Sequence, residues 1–181
     1  MAKSSEDHQL GLVESIETRV SVRSFTEEDV PEKVVNEALR MAILAPSAGN
    51  LQARDFIVVR SALSKKRLAK AAFGQAFVEE APVVIVVCAN QNRIRNYGTR
   101  GAQLYCLQDS AAAIEHILLY IVSQGFGSCW VGAFDEREVS KVLSIPDNIR
   151  PVAILPIGRP MKEGFHTSRL EVGEVVHKEK W

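Results

Sequence analysis

Cysteine is scarce in this sequence. Its 181 residues hold three (Cys88, Cys106 and Cys129), an odd number, far apart and without a C-x-x-C pair. That excludes a disulfide framework and argues for reduced thiols in a cytoplasmic protein. No apolar run approaches the roughly 18 residues a membrane span requires. The segment Met1–Gln9 is polar and mixed in charge, so no signal peptide is expected. Charge of one sign is not in excess: Lys+Arg and Asp+Glu both number 22, which leaves nothing to drive non-specific binding to nucleic acid. The self-contained catalytic motifs are missing as well. There is no phosphate-binding G-x-x-x-x-G-K-S/T, no G-x-S-x-G elbow and no H-E-x-x-H. Gly125-Phe126-Gly127 begins like a dinucleotide fingerprint, but Trp130 stands where the third glycine is needed, and the glycines follow a helix instead of a strand. The histidines (His8, His116, His166, His177) are scattered, and no metal site is expected. Cys129 beside Trp130 reads as a small buried residue, because no neighbouring cation lowers its pKa.

What is present is an ordinary core-forming composition, 46% apolar and 24% charged, arranged as alternating helical and extended segments. Leu10, Val13 and Ile16 recur at helical spacing and predict an amphipathic helix over 9–19. Asp29 and Glu32 around Pro31 read as a helix start. A stripe from Val34 to Ile43 follows and stops before Pro46. Extended segments are expected at 56–59, 83–87, 128–131 and 152–155, with Val83–Val87 the strongest. Ser64 is read as the cap of a short helix over 65–72, and 91–101 as a polar loop. Gln103–Gln124 predicts the longest helix, about 30 Å, with Gly125 as its C′ residue. Asp135 and Glu138 repeat the capping pattern before a helix that ends ahead of Pro146. Strands interleaved with helices imply one layered α+β or α/β domain.

An enzyme without its own nucleophile or acid–base set can delegate its chemistry to a cofactor. Three segments carry polar groups suited to holding one. Arg19 and Arg23 flank Ser21 at a helix end, a pattern that serves an anion or simply the helix dipole. Ala45–Gln52 follows a sharp helix stop with Ser47, Asn50 and Gln52. Side-chain amides both donate and accept, which suits the edge of a heteroaromatic ring, although Ser, Gly and Asn are also common in plain turns. In 125–134, Gly132 allows close approach of a backbone amide to a planar ligand, or marks the end of a strand.

The order and spacing of these segments resemble the nitroreductase family of flavin-mononucleotide oxidoreductases. Arg19-Val20-Ser21-Val22-Arg23-Ser24-Phe25 resembles the family's first string, and Ala45–Gln52 its Ala-Pro-Ser-x-x-Asn-x-Gln. The long helix running into Gly127-Ser128-Cys129-Trp130-Val131-Gly132 is similar, as are Ile157-Gly158-Arg159-Pro160 and the closing Glu174–Trp181. The resemblance implies an α+β fold, a nitroreductase-like α/β/α sandwich whose mixed, mainly antiparallel sheet is flanked by helices, in an intertwined homodimer. Residues 1–9 are then a flexible tail and 10–181 a single FMN-binding domain. It further implies FMN as bound cofactor, NADH or NADPH as co-substrate, and a ping-pong reaction that passes electrons to a small nitroaromatic, quinone or related acceptor, with no nucleic-acid or membrane partner. By position, Arg19, Val20, Ser21 and Arg23 contact the cofactor. Pro46, Ser47, Asn50 and Gln52 line its ring from the partner subunit, backbone amides of Gly132 and Ala133 sit near flavin N5, and Arg159 with Arg169 completes a phosphate clamp. No side chain is catalytic in its own right. The sequence departs from the family pattern at Val20, where a second Arg is common, and at Ala53-Arg54-Asp55, where the family has Pro-Trp. The Arg in place of Trp is expected to reshape the pocket rim, and the cations of 91–101 are read as a solvated loop or a contact for nucleotide phosphates. Two other readings stay open: a same-fold flavoenzyme of different chemistry (a dehalogenase, azoline oxidase or flavin-fragmenting enzyme), and a non-catalytic flavin-binding regulatory domain.

Overall fold

A central strand hydrophobic along its whole length fixes the architecture. Val83–Asn90 (β2) is buried at every position, so it must be covered on both faces and flanked on both edges. It pairs antiparallel with β1 (Arg54–Val59) and β4 (Ile149–Gly158). A two-residue β3 (Gly127–Ser128) completes the sheet in the order β1-β2-β4-β3. A single parallel bridge joins Ser21 to Ser128. The computed structural model describes residues 9–162 and 164–181, so the expected tail, Gln9 apart, lies outside the described residues.

Side-chain alternation divides the core in two. Val83, Ile85 and Val87 face α2 (Glu32–Leu44) and α6 (Cys106–Ser123), together with Ala153, Leu155 and Ile157. Val84, Val86 and Cys88 face the opposite layer, made by α3 (Ala62–Ala71), α4 (Phe77–Glu80) and α7 (Glu136–Leu143). Ile114, Ile117, Leu118 and Ile121 of α6 are buried in the first layer. Each contributes about 1.5–3 kcal/mol by leaving water. This is the expected α/β/α sandwich.

Several boundaries differ from the sequence reading, each for a local reason. Asp29 does not cap α2; its carboxylate accepts from Val30 N–H and pairs with Arg60 at 2.7 Å, while Pro31 occupies the N-cap. Ser61, not Ser64, caps α3, its hydroxyl accepting the Ser64 N–H. Asp135 does cap α7, accepting from the N–H groups of Arg137 and Glu138. Gly125 follows α6 with φ 74°, the left-handed conformation a C′ glycine supplies. The strand expected at 128–131 shrinks to Gly127–Ser128 because Val131 makes only an isolated bridge to Ile154. The "loop" 91–101 instead winds into a helical turn at Arg95–Tyr97 and α5 (Gly98–Arg100). A π-helical turn, Gly101–Tyr105, then leads directly into α6. The short helices α4 and α8 (Val172–Val175) were not anticipated.

The first helix is inverted relative to expectation. α1 (Leu12–Thr18) buries Ser15 and turns Leu12, Val13 and Ile16 outward, at 68%, 66% and 55% exposure. Among the described residues nothing covers its apolar stripe.

Candidate functional site: two half-sites at opposite corners of the sheet

The Arg19–Arg23 segment runs in extended alternation beside β3. Val20 and Val22 pack toward the core, and Arg19, Ser21 and Arg23 take the other side. Among the described residues neither the Arg19 nor the Arg23 guanidinium has a salt-bridge or hydrogen-bond partner, which leaves two guanidinium forks and a hydroxyl on one side of the segment. The Val20 side chain lies away from them. It lines a cleft of about 700 Å³ with Val22, Phe126, Gly127, Arg159 and Pro160, so Val20 reaches a ligand on the Arg19 side only through its backbone.

Arg159 is committed elsewhere. Its Nε donates to Glu28 at 2.6 Å, and its guanidinium lies 4.9 Å over the Phe126 ring. Arg169 is tied only to its own neighbourhood, donating to the Thr167 carbonyl and hydroxyl. Of the two expected phosphate cations, Arg169 is the one without a carboxylate partner among the described residues.

Gly132 and Ala133 follow Val131, whose N–H and carbonyl both bond Ile154 at 3.0 Å. Both are exposed. Nothing lies within 4 Å of where a Gly132 Cβ would stand, and its φ is not in the left-handed region. The Ala133 carbonyl accepts from the Gln75 side chain at 3.0 Å, a support the sequence reading missed.

The second half-site is the turn after α2. Gly49, Asn50 and Gln52 all have positive φ (55°, 57° and 50°). For Asn this is tolerated; for Gln it is a strained conformation, of order 1–3 kcal/mol. The chain holds it from several sides. Asp109, 3% exposed on α6, accepts the Ala48 N–H at 2.9 Å and the Ala53 N–H at 3.2 Å. Ser47 Oγ accepts the Gln52 N–H. Arg93 donates to the carbonyls of Gln52 and Arg54 and pairs with Asp55 at 2.6 Å.

Arg54 does not form a pocket rim. It is 3% exposed, and its guanidinium donates to the carbonyls of Ile43, Ala45, Pro46 and Asp109. Burial pushes its pKa below the ordinary value, and the nearby Asp109 charge opposes that. It remains a cation. Arg93, half exposed, is not a free solvated cation: its bonds to the Gln52 and Arg54 carbonyls and to Asp55 clamp this turn. The one signal that pointed to these residues was composition: Asp109 is an acid inside an otherwise apolar helix stripe, and Arg54 a cation opening a buried strand.

These two half-sites are far apart. Ser21 bridges Ser128, level with Ile157 and Val83, whereas Arg54 lies level with Ala89 and Arg150 on the far edge strand. At about 3.3 Å per residue and 4.8 Å per strand, that separation is roughly 30 Å. Arg19, Ser21 and Arg23 run beside the segment that continues from Ser128 to Gly132 and Ala133, whereas Pro46, Ser47, Asn50 and Gln52 lie in the turn after α2.

The family model for the nitroreductase family matches residues 16–80 and 70–159. A Thermus thermophilus protein named NADH dehydrogenase is 33% identical over 186 aligned positions, covering 87% of this chain and 91% of that one. A Bacillus subtilis FMN reductase (NAD(P)H) is 27% identical, over 94% of this chain and 74% of its own. The solved structure of B. megaterium NfrA2 superposes with a TM-score of 0.88 at 26% identity, covering 94% of this chain and 74% of that chain. The mainly antiparallel α/β/α sandwich is the fold this chain shares with that structure. The chain belongs to the nitroreductase family.

Proposed function

We propose that two copies of this NAD(P)H-dependent flavin oxidoreductase jointly hold FMN. One supplies Arg19, Ser21, Arg23, Gly132 and Ala133; the other supplies Pro46, Ser47, Asn50 and Gln52. The observation that carries the reading is the separation of the half-sites. Roughly 30 Å is farther than one flavin mononucleotide reaches, so a single chain holds each half of a site and neither whole.

The exposed surface points the same way. The chain exposes 11548 Å², against roughly 8,700 Å² for a compact 20 kDa globule. The outward stripe of α1 and the exposed Phe165, Leu170, Val172 and Trp181 of the C-terminal segment are the apolar surface that a homodimer covers. The FMN-binding unit is then residues 10–181, and its free, buried thiols suit a cytoplasmic location.

The residues present fit the cofactor. The guanidinium forks of Arg19 and Arg23, without a partner among the described residues, suit a phosphate, with Ser21 as a neutral donor between them. Arg169 is the cation available to complete the clamp. The space over Gly132 admits a flat ring against the backbone, where its N–H and that of Ala133 donate. Asn50 and Gln52 present amides that match the donor and acceptor edge of a pyrimidinedione. Bound FMN supplies the redox chemistry, taking hydride from NAD(P)H and passing electrons to a nitroaromatic, quinone or related acceptor in a second half-reaction. The chain's part is to bind, to orient and to keep the site geometry fixed between the halves.

The test is a visible spectrum. The purified protein, reconstituted with FMN, is expected to be yellow, to bleach under anaerobic NADH or NADPH, and to regain colour on addition of menadione or a nitrofuran. Failure to retain FMN refutes the reading; retained colour that neither nucleotide bleaches refutes the enzymatic part of it.

A further inference from the structure

We infer that Arg54 and Asp109 are positioning residues for the flavin: a buried charged frame that sets the 46–53 turn in its ligand-ready shape before any cofactor arrives. The inference rests on the FMN reading above for what the turn binds, and on the structure for how the turn is held.

Both residues are removed from water, yet they do not spend their charges on each other's side chains. The Asp109 carboxylate grips the turn at its two ends, through the N–H groups of Ala48 and Ala53. The Arg54 guanidinium grips the chain leading into it, through the carbonyls of Ile43, Ala45 and Pro46, and ties back to α6 through the Asp109 carbonyl at 3.3 Å. The carbonyls of Ile43 and Ala45 belong to the open C-terminal end of α2, where a cation is favoured. A donor that served stability alone had many places to go. These bonds converge instead on a turn that holds three positive-φ residues within four positions, Gly49, Asn50 and Gln52, and Gly49 there is closed in by Tyr97, whose hydroxyl stands 2.6 Å from a would-be Cβ. Arg93 adds an outer clamp on the Gln52 carbonyl.

The consequence is for binding. A loop that visits its competent shape only part of the time weakens apparent affinity by that fraction. Arg54 and Asp109 keep the fraction near one, so Asn50 and Gln52 meet the ring without an ordering step. Because Asp109 sits on α6, the turn also moves as one body with the long helix.

The test uses Asp109→Asn and, because a buried variant can fail to fold, the exposed clamp variant Arg93→Gln beside it. Hydrogen exchange is followed on FMN-free protein, and FMN affinity by fluorescence quenching. Asp109→Asn is expected to speed exchange at residues 46–54 at least tenfold while the sheet stays protected, and to raise the FMN Kd tenfold or more. Arg93→Gln should do both to a smaller degree, with the melting temperature within a few degrees of the parent. Uniformly faster exchange across the sheet, or an unchanged FMN Kd in both variants, overturns the inference. Absence of FMN uptake by the unaltered protein overturns the cofactor reading itself, which separates the two failures.

Discussion

Replacing Gly132 should leave the fold intact and cost the flavin. The structure makes the contrast with two other glycines explicit. A Cβ at Gly127 would stand 2.5 Å from Val22 Cγ2 and 2.9 Å from Pro160 Cγ; one at Gly158 would stand 2.7 Å from Pro82 Cδ. Packing forbids a side chain at those positions. At Gly132 neither packing nor φ does, so the chain alone has no use for a glycine there. Gly132→Ala should therefore be neutral or stabilising by up to about 1 kcal/mol through lost unfolded-state freedom, a change of no more than about 4 °C in melting temperature. Gly127→Ala, the control, should lose about 1–3 kcal/mol by overpacking, a fall of about 2–12 °C. The order reverses in FMN titrations. A methyl group pressed into a flat ring costs about 1–3 kcal/mol, so Gly132→Ala should bind FMN about 5- to 150-fold more weakly, and Gly132→Val more weakly still. Differential scanning calorimetry of the FMN-free proteins and fluorescence titration of FMN measure the two effects separately. Undiminished FMN affinity in Gly132→Val would show that no ring lies against this segment.

Other expectations concern the partner, the phosphate and one buried thiol. An Arg19→Gln/Arg23→Gln chain and an Asn50→Ala/Gln52→Ala chain should each fail to bind FMN as homodimers. Their purified heterodimer should bind about one FMN per dimer, because one of its two sites is assembled from the unaltered halves; a flavin-free heterodimer would refute the shared site. Arg169→Gln should weaken FMN about tenfold or more, as loss of a charge-assisted contact does, whereas Arg159→Gln should mainly lower the melting temperature through its lost contacts to Glu28 and Phe126; equal effects on FMN would argue for a two-arginine clamp. Burial, aided by the Asp55 charge, pushes the Cys88 thiol up to about 12. An unfolded thiol ionises near 8.5 and this one does not, so stability should be unaffected below that pH and fall by about 1.4 kcal/mol per unit above it, toward 12. Urea titrations of parent and Cys88→Ala between pH 7 and 10.5 check the difference in slope.

The sequence made some of this visible and hid the rest for definable reasons. Val83–Val87 announced a strand buried on both faces because a β-branched run leaves no polar side to expose. The Asp135 cap and the Gly125 stop were readable because each acts within four residues. The Asp29 cap misled because a residue thirty-one positions away, Arg60, competes for the same carboxylate, and local pattern cannot see it. The same blindness applied at the site. Arg19, Ser21, Asn50 and Gln52 stand out as candidates by residue type, but Arg54 reads as a rim residue because only the packed structure turns it inward. The turn it supports draws on α6, β1 and the 91–101 segment, elements that are neighbours in space and not in the chain.

The misreading of α1 is the more informative one. Its apolar spacing reads as the stripe of an amphipathic helix, a face that ordinarily turns to a core, and the described residues leave that face in water, with Leu12 68% exposed. Both statements hold if the surface that buries it is a second copy. The proposed half-sites make the same demand independently: on the FMN reading, Arg19, one residue beyond the end of α1, carries half of a site whose other half lies roughly 30 Å away on its own chain. A contact that covers α1 brings a foreign surface next to Arg19, which is where a foreign 46–52 turn is needed. Hydrophobic burial and cofactor assembly are then one event. Dilution that separates the chains should release flavin in step with dimer dissociation, and flavin retained by a monomer would break the connection.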